Sequence, residues 1–233
     1  MQRKPRILVV EDEAAIRSGL TDVFVYHGYE VEAVADGPAG LHRALNGCFD
    51  LILLDVMLPG MDGFEICNRI RARDRDQPLI MLTAKTSDED IIQGLSLGAD
   101  DYVAKPFSVA QLVLRVQAVL RRSRIGIERE STLRLGDDIV VDCRNLQGRH
   151  DGVALSFTRR EVEMLQYLRL NPDRPVSRAE LLAKVWGYAK NLDIETRTVD
   201  IHIAKLRRKI EPDPENPRYL VTVRGAGYRL VVD

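Results

Sequence analysis

Residues 51–55 read Leu51-Ile52-Leu53-Leu54-Asp55. Four apolar side chains in succession leave no polar face, so this strand is expected to be covered on both sides, as in a parallel sheet. Outward from it the same pattern recurs at Ile7–Val10, Val31–Ala35, Leu79–Leu82 and, more briefly, Tyr102–Ala104. Between these runs lie amphipathic stretches at roughly 13–27, 37–46, 62–73, 87–96 and 108–121. The last sets Val109, Leu112, Val113, Val116 and Leu120 on one helical face. Five strands alternating with five helices predict an α/β domain, doubly wound around a five-stranded parallel sheet.

The pattern stops near residue 122. Residues 123–131 lack periodicity and read as a linker. Residues 132–155 alternate apolar and polar positions in short pieces punctuated by Gly136, Gly148 and Gly152, which predicts a small antiparallel sheet. Three helical segments follow. The first opens on Thr158 with Glu161 three residues on, and the second on Ser177 with Glu180; both are capping patterns. The third spans about Glu195 to Ile210 and stops before Pro212. Tyr219–Arg224 and Tyr228–Val232, joined by Gly225-Ala226-Gly227, predict a β-hairpin. The expected domains are thus 1–122 and 132–233.

The chain has 233 residues, 45% hydrophobic and 30% charged, which excludes wholesale disorder. The formal net charge of -1 conceals an asymmetry. Residues 1–122 hold 14 basic and 18 acidic side chains, and residues 123–233 hold 20 and 17. The first domain is acidic and the second basic. No apolar run is long enough to span a bilayer, and Ile7–Val10 is too short for a secretory signal, so a cytoplasmic location is expected. Cys48, Cys67 and Cys143 match neither a disulfide framework nor a zinc pair and read as free thiols.

In open parallel sheets, ligands bind beyond the carboxyl ends of the strands. Glu11 and Asp12 follow the first strand, Asp55 the third, Thr83 the fourth and Lys105-Pro106 the fifth. Clustered carboxylates repel one another and call for a cation; oxygen ligands of this kind suit Mg²⁺. A cation, a nucleophilic carboxylate, a hydroxyl and an ammonium at one sheet edge form a phosphoryl-transfer constellation. Singly, Asp12 and Thr83 read better as cap or turn residues and Lys105 as a solvated lysine. Four strand ends in order outweigh those readings.

Val-Val-Glu11-Asp12-Glu, Leu-Leu-Asp55-Val-Met-Leu-Pro59, Leu-Thr83-Ala-Lys and Asp100-Asp101-Tyr102-Val-Ala-Lys105-Pro106-Phe107 resemble the CheY-like receiver domain of two-component response regulators. The resemblance covers residues 5–122. It implies that Asp55 accepts a phosphoryl group from a sensor histidine kinase. It implies that Glu11, Asp12, Asp55 and the Met57 backbone carbonyl hold Mg²⁺. Lys105 would pair with the phosphoryl group, Thr83 would move to hydrogen-bond it, and Tyr102 would rotate inward. An Asp-based phosphatase is the rival class, but it needs a second acid two residues after the nucleophile, where Met57 stands. Met57 and Lys85 supply no group to orient a hydrolytic water, so self-dephosphorylation is expected to be slow. The protein is not expected to turn over an outside substrate.

At 100° per residue, Val199, Ile203, Leu206 and Ile210 line one stripe of the third helix. The opposite arc is expected to hold Arg197, Ile201, Ala204, Lys205 and Arg208. An apolar Ile201 on an exposed arc would suit a thymine methyl. Arg197-Thr-Val-Asp-Ile-His202-Ile-Ala-Lys205-Leu-Arg207-Arg-Lys and Thr222-Val-Arg224-Gly-Ala-Gly227-Tyr228 resemble the winged helix-turn-helix effector domain (α+β) of the OmpR/PhoB subfamily. This implies binding to double-stranded DNA at direct-repeat-like sites. Ile201 and Lys205 would lie at base edges and Arg197, His202, Arg207 and Arg208 at phosphates, with Thr222 and Arg224 in the wing. Residues 188–196 match the loop that meets RNA polymerase in this family, with Trp186 as core support. The resemblance also implies a homodimer through the receiver's fourth helix, fifth strand and fifth helix, using Asp100, Asp101, Arg115 and Arg122. Ile91, Gln111, Leu97 and Ala118 depart from the family's charged pairs there, so fewer ion pairs and more apolar contact are expected. A regulator that dimerises without phosphate is the second alternative.

Overall fold

The computed structural model describes residues 3–84, 97–123, 131–150, 152–188 and 197–232, with the side chains of Arg122, Ser123 and Arg197 outside the described set. The chain forms two compact units, residues 1–125 and 126–233.

The first unit is a five-stranded parallel sheet of order β2-β1-β3-β4-β5. The strands are β1 (Arg6–Val10), β2 (Glu30–Val34), β3 (Leu51–Asp55), β4 (Leu79–Thr83) and β5 (Asp101–Ala104). Ile7–Val10, Leu51–Leu54 and Leu79–Leu82 are fully buried, so the continuous apolar runs do occupy the inner strands. Helices α1 (Ala14–Tyr26), α2 (Gly37–Asn46), α3 (Gly63–Arg73) and α4 (Val109–Ser123) cover the sheet. The helix expected over 87–96 lies outside the described residues. Asp36 and Asp62 cap α2 and α3 by accepting the amides of Ala39 and Glu65, both at 2.8 Å. These caps start α2 and α3 in the turns that follow β2 and β3.

Two buried ion pairs anchor the start of β5. Arg71 of α3 reaches Asp100 at 3.1 Å and the Gly98 carbonyl at 2.8 Å, while Arg115 of α4 pairs with Asp101. Asp100, Asp101 and Arg115 are all less than a tenth exposed.

The second unit opens with an antiparallel meander of β6 (Thr132–Leu135), β7 (Ile139–Asp142), β8 (Gln147–His150) and β9 (Val153–Ser156). Helix α5 (Arg159–Arg169) begins on a reciprocal cap: Thr158 donates its amide to Glu161 Oε2 at 2.8 Å, and Glu161 donates its amide to Thr158 Oγ1 at 3.4 Å. Helix α6 (Arg178–Leu181) starts on Ser177 and runs on as a π-helical turn, Leu182–Trp186, which stops at left-handed Gly187 (φ 76°). Helix α7 covers Arg197–Ile210, and β10 (Leu220–Val223) pairs antiparallel with β11 (Gly227–Leu230). Val176 and Tyr228 exchange amide hydrogen bonds of 2.7 and 2.9 Å, which ties the hairpin to the start of α6. Glu211 anchors the hairpin's other end. Its carboxylate accepts the amides of Arg218, Tyr219 and Leu220 at 2.7 to 3.0 Å.

Candidate functional site

Glu11, Asp12 and Asp55 converge at the carboxyl end of the sheet because β1 and β3 are adjacent and in register. One carboxylate oxygen from each lies within 4.8 Å of the others. Glu11 and Asp55 are buried and Asp12 is exposed. Lys105, just past β5, reaches over the edge. Its Nζ lies 2.7 Å from Asp55 Oδ2 and 2.8 Å from Glu11 Oε1. Its own amide donates to the Thr83 carbonyl at 2.6 Å, which fixes where the lysine leaves the sheet. The Met57 amide donates to Asp55 Oδ1 at 3.2 Å, and the Met57 side chain is exposed. Thr83 is buried at the end of β4, and Tyr102 is buried on the neighbouring strand.

The electrostatics follow from that crowding. Burial, reinforced by the Asp55 charge, pushes the Glu11 carboxyl above its ordinary range despite the Lys105 bond. Burial opposes the charge on Lys105, but the bonds to Asp55 and Glu11 outweigh it and push the ammonium up. Among the described residues, the Lys105 ammonium thus meets two of the three carboxylates, Glu11 and Asp55. The all-oxygen donor set, with Asp12 open to water, fits a hard, partly hydrated divalent cation such as Mg²⁺.

In the second unit, Val199, Ile203, Leu206 and Ile210 of α7 form the core stripe. Ala204 and Arg208 are exposed on the opposite side, as are Thr222, Arg224 and Arg229 of the hairpin. Arg207 bridges helix and hairpin, donating to the Leu220 carbonyl and to Thr222 Oγ1, both at 2.8 Å. Asp200, Arg178 and Tyr228 form a second bridge. Asp200 Oδ1 accepts from Arg178 Nε at 2.7 Å and from the Tyr228 hydroxyl at 2.6 Å. Burial and the Asp200 bond push the Tyr228 hydroxyl up to about 12.

Comparison with known families assigns both units. Residues 7–117 match the response regulator receiver domain, and residues 152–230 match the C-terminal domain of transcriptional regulatory proteins. The chain belongs to the OmpR/PhoB-type two-component response regulators. It is similar to the sensory transduction protein RegX3 of Mycobacterium tuberculosis H37Rv, at 40% identity over 228 residues, covering 96% of this chain and 98% of RegX3. It is also similar to the DNA-binding response regulator MtrA of Mycolicibacterium smegmatis, at 42% identity, covering 97% and 96% of the two chains. Among solved structures, Thermotoga maritima DrrB, an OmpR/PhoB homologue, is 31% identical with a TM-score of 0.53, covering 98% of this chain and 99% of DrrB. A cysteine-to-aspartate mutant of RitR is 28% identical with a TM-score of 0.72, covering 98% and 100%.

As a response regulator, the protein has a receiver sheet and a winged-helix effector domain, and no described helix is long and apolar enough to cross a membrane. Its sheet edge brings together Glu11, Asp12, Asp55 and Lys105, with Thr83 on the adjacent strand end. Three expectations for the effector helix need correction. Ile201 is 7% exposed, so it lies inside the unit rather than on an exposed arc. His202 has no exposure and packs edge-on against Trp186 with ring centres 5.2 Å apart; neither ring nitrogen has a hydrogen-bond partner, so it is not placed at a phosphate. The Lys205 side chain is 12% exposed and pairs with the fully buried Glu161 at 3.2 Å instead of projecting outward. Helical period gives a side chain's direction but not its neighbours: here Trp186 meets His202, and Glu161 of α5 meets Lys205. Asp100, Asp101 and Arg115, expected at a dimer face, form the intrachain pairs Arg71–Asp100 and Arg115–Asp101. The residues 189–196 of the expected polymerase loop, Ile91, and the Arg122 and Arg197 side chains lie outside the described residues. Glu161 was legible only as a helix cap; nothing in its spacing announced two lysine partners on α7.

Proposed function

We propose that this response regulator is switched by transfer of a phosphoryl group from a sensor kinase phosphohistidine to Asp55, in a Mg²⁺-dependent reaction. The observation that carries the reading is the Lys105 ammonium, 2.7 Å from Asp55 and 2.8 Å from Glu11, over a trio of carboxylates. An Asp55 oxygen attacks phosphorus, the O–P bond forms, the N–P bond breaks, and the histidine nitrogen leaves with its electron pair. Glu11, Asp12, Asp55 and the Met57 carbonyl would hold the cation, which offsets negative charge on the phosphoryl oxygens when bound. Lys105 exchanges its Asp55 contact for a phosphoryl oxygen. Thr83 donates its hydroxyl to another, with Tyr102 behind it. That arrangement gains stability only in the phosphorylated protein, which shifts the population toward it. Met57 offers no group to orient water, which supports slow self-dephosphorylation; Lys85 is outside the described residues.

The effector domain binds DNA through α7 and the hairpin, with Arg208 and Arg224 as exposed cations on the two elements. Arg207 and Thr222 hold those elements together and approach phosphates as a unit. The dimer forms through the face that includes β5 and α4. Val109 and Leu114 are 44% and 42% exposed on α4, which supports apolar contact at such a face. A cytoplasmic location and contact with RNA polymerase complete the reading.

The test uses acetyl phosphate or a phosphorylated kinase domain, with and without Mg²⁺, read on a phosphate-affinity gel and by sedimentation. Acid-stable, hydroxylamine-cleavable phosphate that needs Mg²⁺ and disappears in Asp55→Asn is expected, with a larger sedimentation coefficient after modification. Equal modification of Asp55→Asn would refute the assignment.

A further inference from the structure

Arg17 lies on α1, one turn past the acidic segment that ends β1. Its Nη1 is 2.8 Å from the Glu11 carbonyl oxygen and 2.8 Å from the Asp12 carbonyl oxygen. The side chain therefore folds back over the N-terminus of α1 and bridges two consecutive peptide units. Its own amide donates to Glu13 at 2.9 Å in the first turn of α1, so the arginine's backbone is fixed at the same place. Glu13, at the N-cap position, makes no side-chain cap bond, and its amide donates to Glu11 Oε1 at 3.4 Å, so Arg17 and Glu11 are the side chains that tie this turn down.

We propose that Arg17 is a positioning residue for the acidic pocket: by holding the Glu11 and Asp12 carbonyls it fixes the two peptide planes and so aims both carboxylates at one cation position. The inference rests on the reading of Glu11, Asp12 and Asp55 as Mg²⁺ ligands. A carboxylate that leaves the chain at a turn with two free peptide rotations loses affinity to disorder. One guanidinium nitrogen with two hydrogens on two carbonyls removes that freedom. Groups that orient metal ligands from behind commonly contribute about 10- to 100-fold in affinity.

The charge of Arg17 acts in the opposite direction from its geometry. A cation beside a cation site repels the incoming ion, as Lys105 does, and Glu13 only partly offsets it. If charge alone mattered, removing Arg17 would tighten metal binding. If positioning dominates, removing it weakens binding. The sign of the change separates the two.

Mn²⁺, a paramagnetic substitute for Mg²⁺, is titrated into the full-length protein and free ion is read by electron paramagnetic resonance. Far-UV circular dichroism and urea unfolding check that each variant folds. Arg17→Gln is expected to weaken Mn²⁺ binding about 10-fold, and Arg17→Lys to fall between it and the unmodified protein. Unchanged or tighter binding in Arg17→Gln overturns the proposal while leaving the metal reading intact. If Arg17→Gln does not fold, Arg17→Lys decides: it keeps the charge, so affinity equal to the unmodified protein overturns the positioning role, and weaker binding supports it. Asp12→Asn serves as the ligand control. No Mn²⁺ binding by the unmodified protein, or no loss in Asp12→Asn, overturns the metal reading and this inference with it.

Discussion

The Lys209 ammonium lies 2.6 Å from Oε2 of Glu161, a carboxylate with no solvent exposure. Lys209 also donates to the Ser156 carbonyl at 2.8 Å, and Lys205 approaches the other Glu161 oxygen at 3.2 Å. A helix cap on α5 is thereby the counter-ion of two lysines on helix α7. Removing one member of a buried pair leaves an uncompensated charge, which destabilises by about 3 to 5 kcal/mol. Glu161→Gln is expected to cost about 3 kcal/mol in urea unfolding of the full chain. It keeps the shape and a cap acceptor, so a loss below about 0.5 kcal/mol would show that the pair contributes little beyond a cap.

Acid should unfold the effector domain through two groups acting in the same sense. Burial alone would raise the Glu161 carboxyl, but the Lys205 and Lys209 charges outweigh it and hold it below its ordinary 4.5. A depressed carboxyl contributes stability that is complete above 4.5 and is lost as pH falls through the folded value. His202 is driven down from 6.5 to about 3, first by burial and then by the neighbouring Lys205 charge. Its ring stays neutral in the fold while the unfolded chain takes up a proton below 6.5. Stability therefore declines as pH drops from 6.5 toward 3, with a slope approaching about 1.4 kcal/mol per pH unit from this one group. His202→Leu should flatten that decline between pH 6 and 4 in calorimetric unfolding. An unchanged slope would mean that His202 ionises freely in the fold.

Close backbone approach, not conformation, dictates glycine at position 63. A Cβ there would stand 2.2 Å from the Asp55 carbonyl oxygen and 2.9 Å from the Val56 Cα, both backbone atoms that cannot swing away. The Gly63 amide also donates to the Val56 carbonyl at 3.0 Å, which closes the loop that follows Asp55. Gly63→Ala is expected to destabilise by about 1 to 3 kcal/mol and to slow modification of Asp55 by displacing its peptide. Normal stability with a normal acetyl phosphate reaction would contradict both.

The receiver fold was legible because its signal is local. Ile7–Val10, Leu51–Leu54 and Leu79–Leu82 are apolar at every position, and a parallel strand buried on both faces is the arrangement such runs suit. Adjacency of the strand ends then assembled Glu11, Asp55 and Lys105 without further information. The effector helix was less legible. Period placed Ile201 and Lys205 opposite the core stripe, but Ile201 is buried, and Glu161, distant in sequence, holds Lys205. A capping residue and a buried counter-ion use the same residue type at the same position, so Glu161 gave no sign of its second role. Arg17 was silent for a similar reason: its partners are backbone carbonyls, which leave no trace in side-chain pattern.

The exposed and the engaged cations of the effector domain should separate in DNA binding. Arg208 is exposed on α7 and Arg224 at the hairpin tip, whereas Lys205 is ion-paired to Glu161. A phosphate contact contributes about 0.9 to the salt slope of log affinity and is indifferent to sequence. Arg208→Ala should therefore weaken specific and random duplexes alike and flatten that slope by about 1. Arg224→Ala at the wing should lower affinity chiefly for sites with a narrow minor groove, where an inserted arginine is most favoured. Lys205→Ala should act first on folding, lowering the unfolding midpoint, because it removes a partner of a buried carboxylate. Its effect on sequence preference measures whether Lys205 leaves Glu161 for a base when DNA arrives. Fluorescence anisotropy over a range of salt, with one specific and one scrambled duplex, reads all three variants. A Lys205→Ala protein with unaltered stability and relaxed specificity would show that the lysine reads bases and that its pairing with Glu161 adds nothing to the fold.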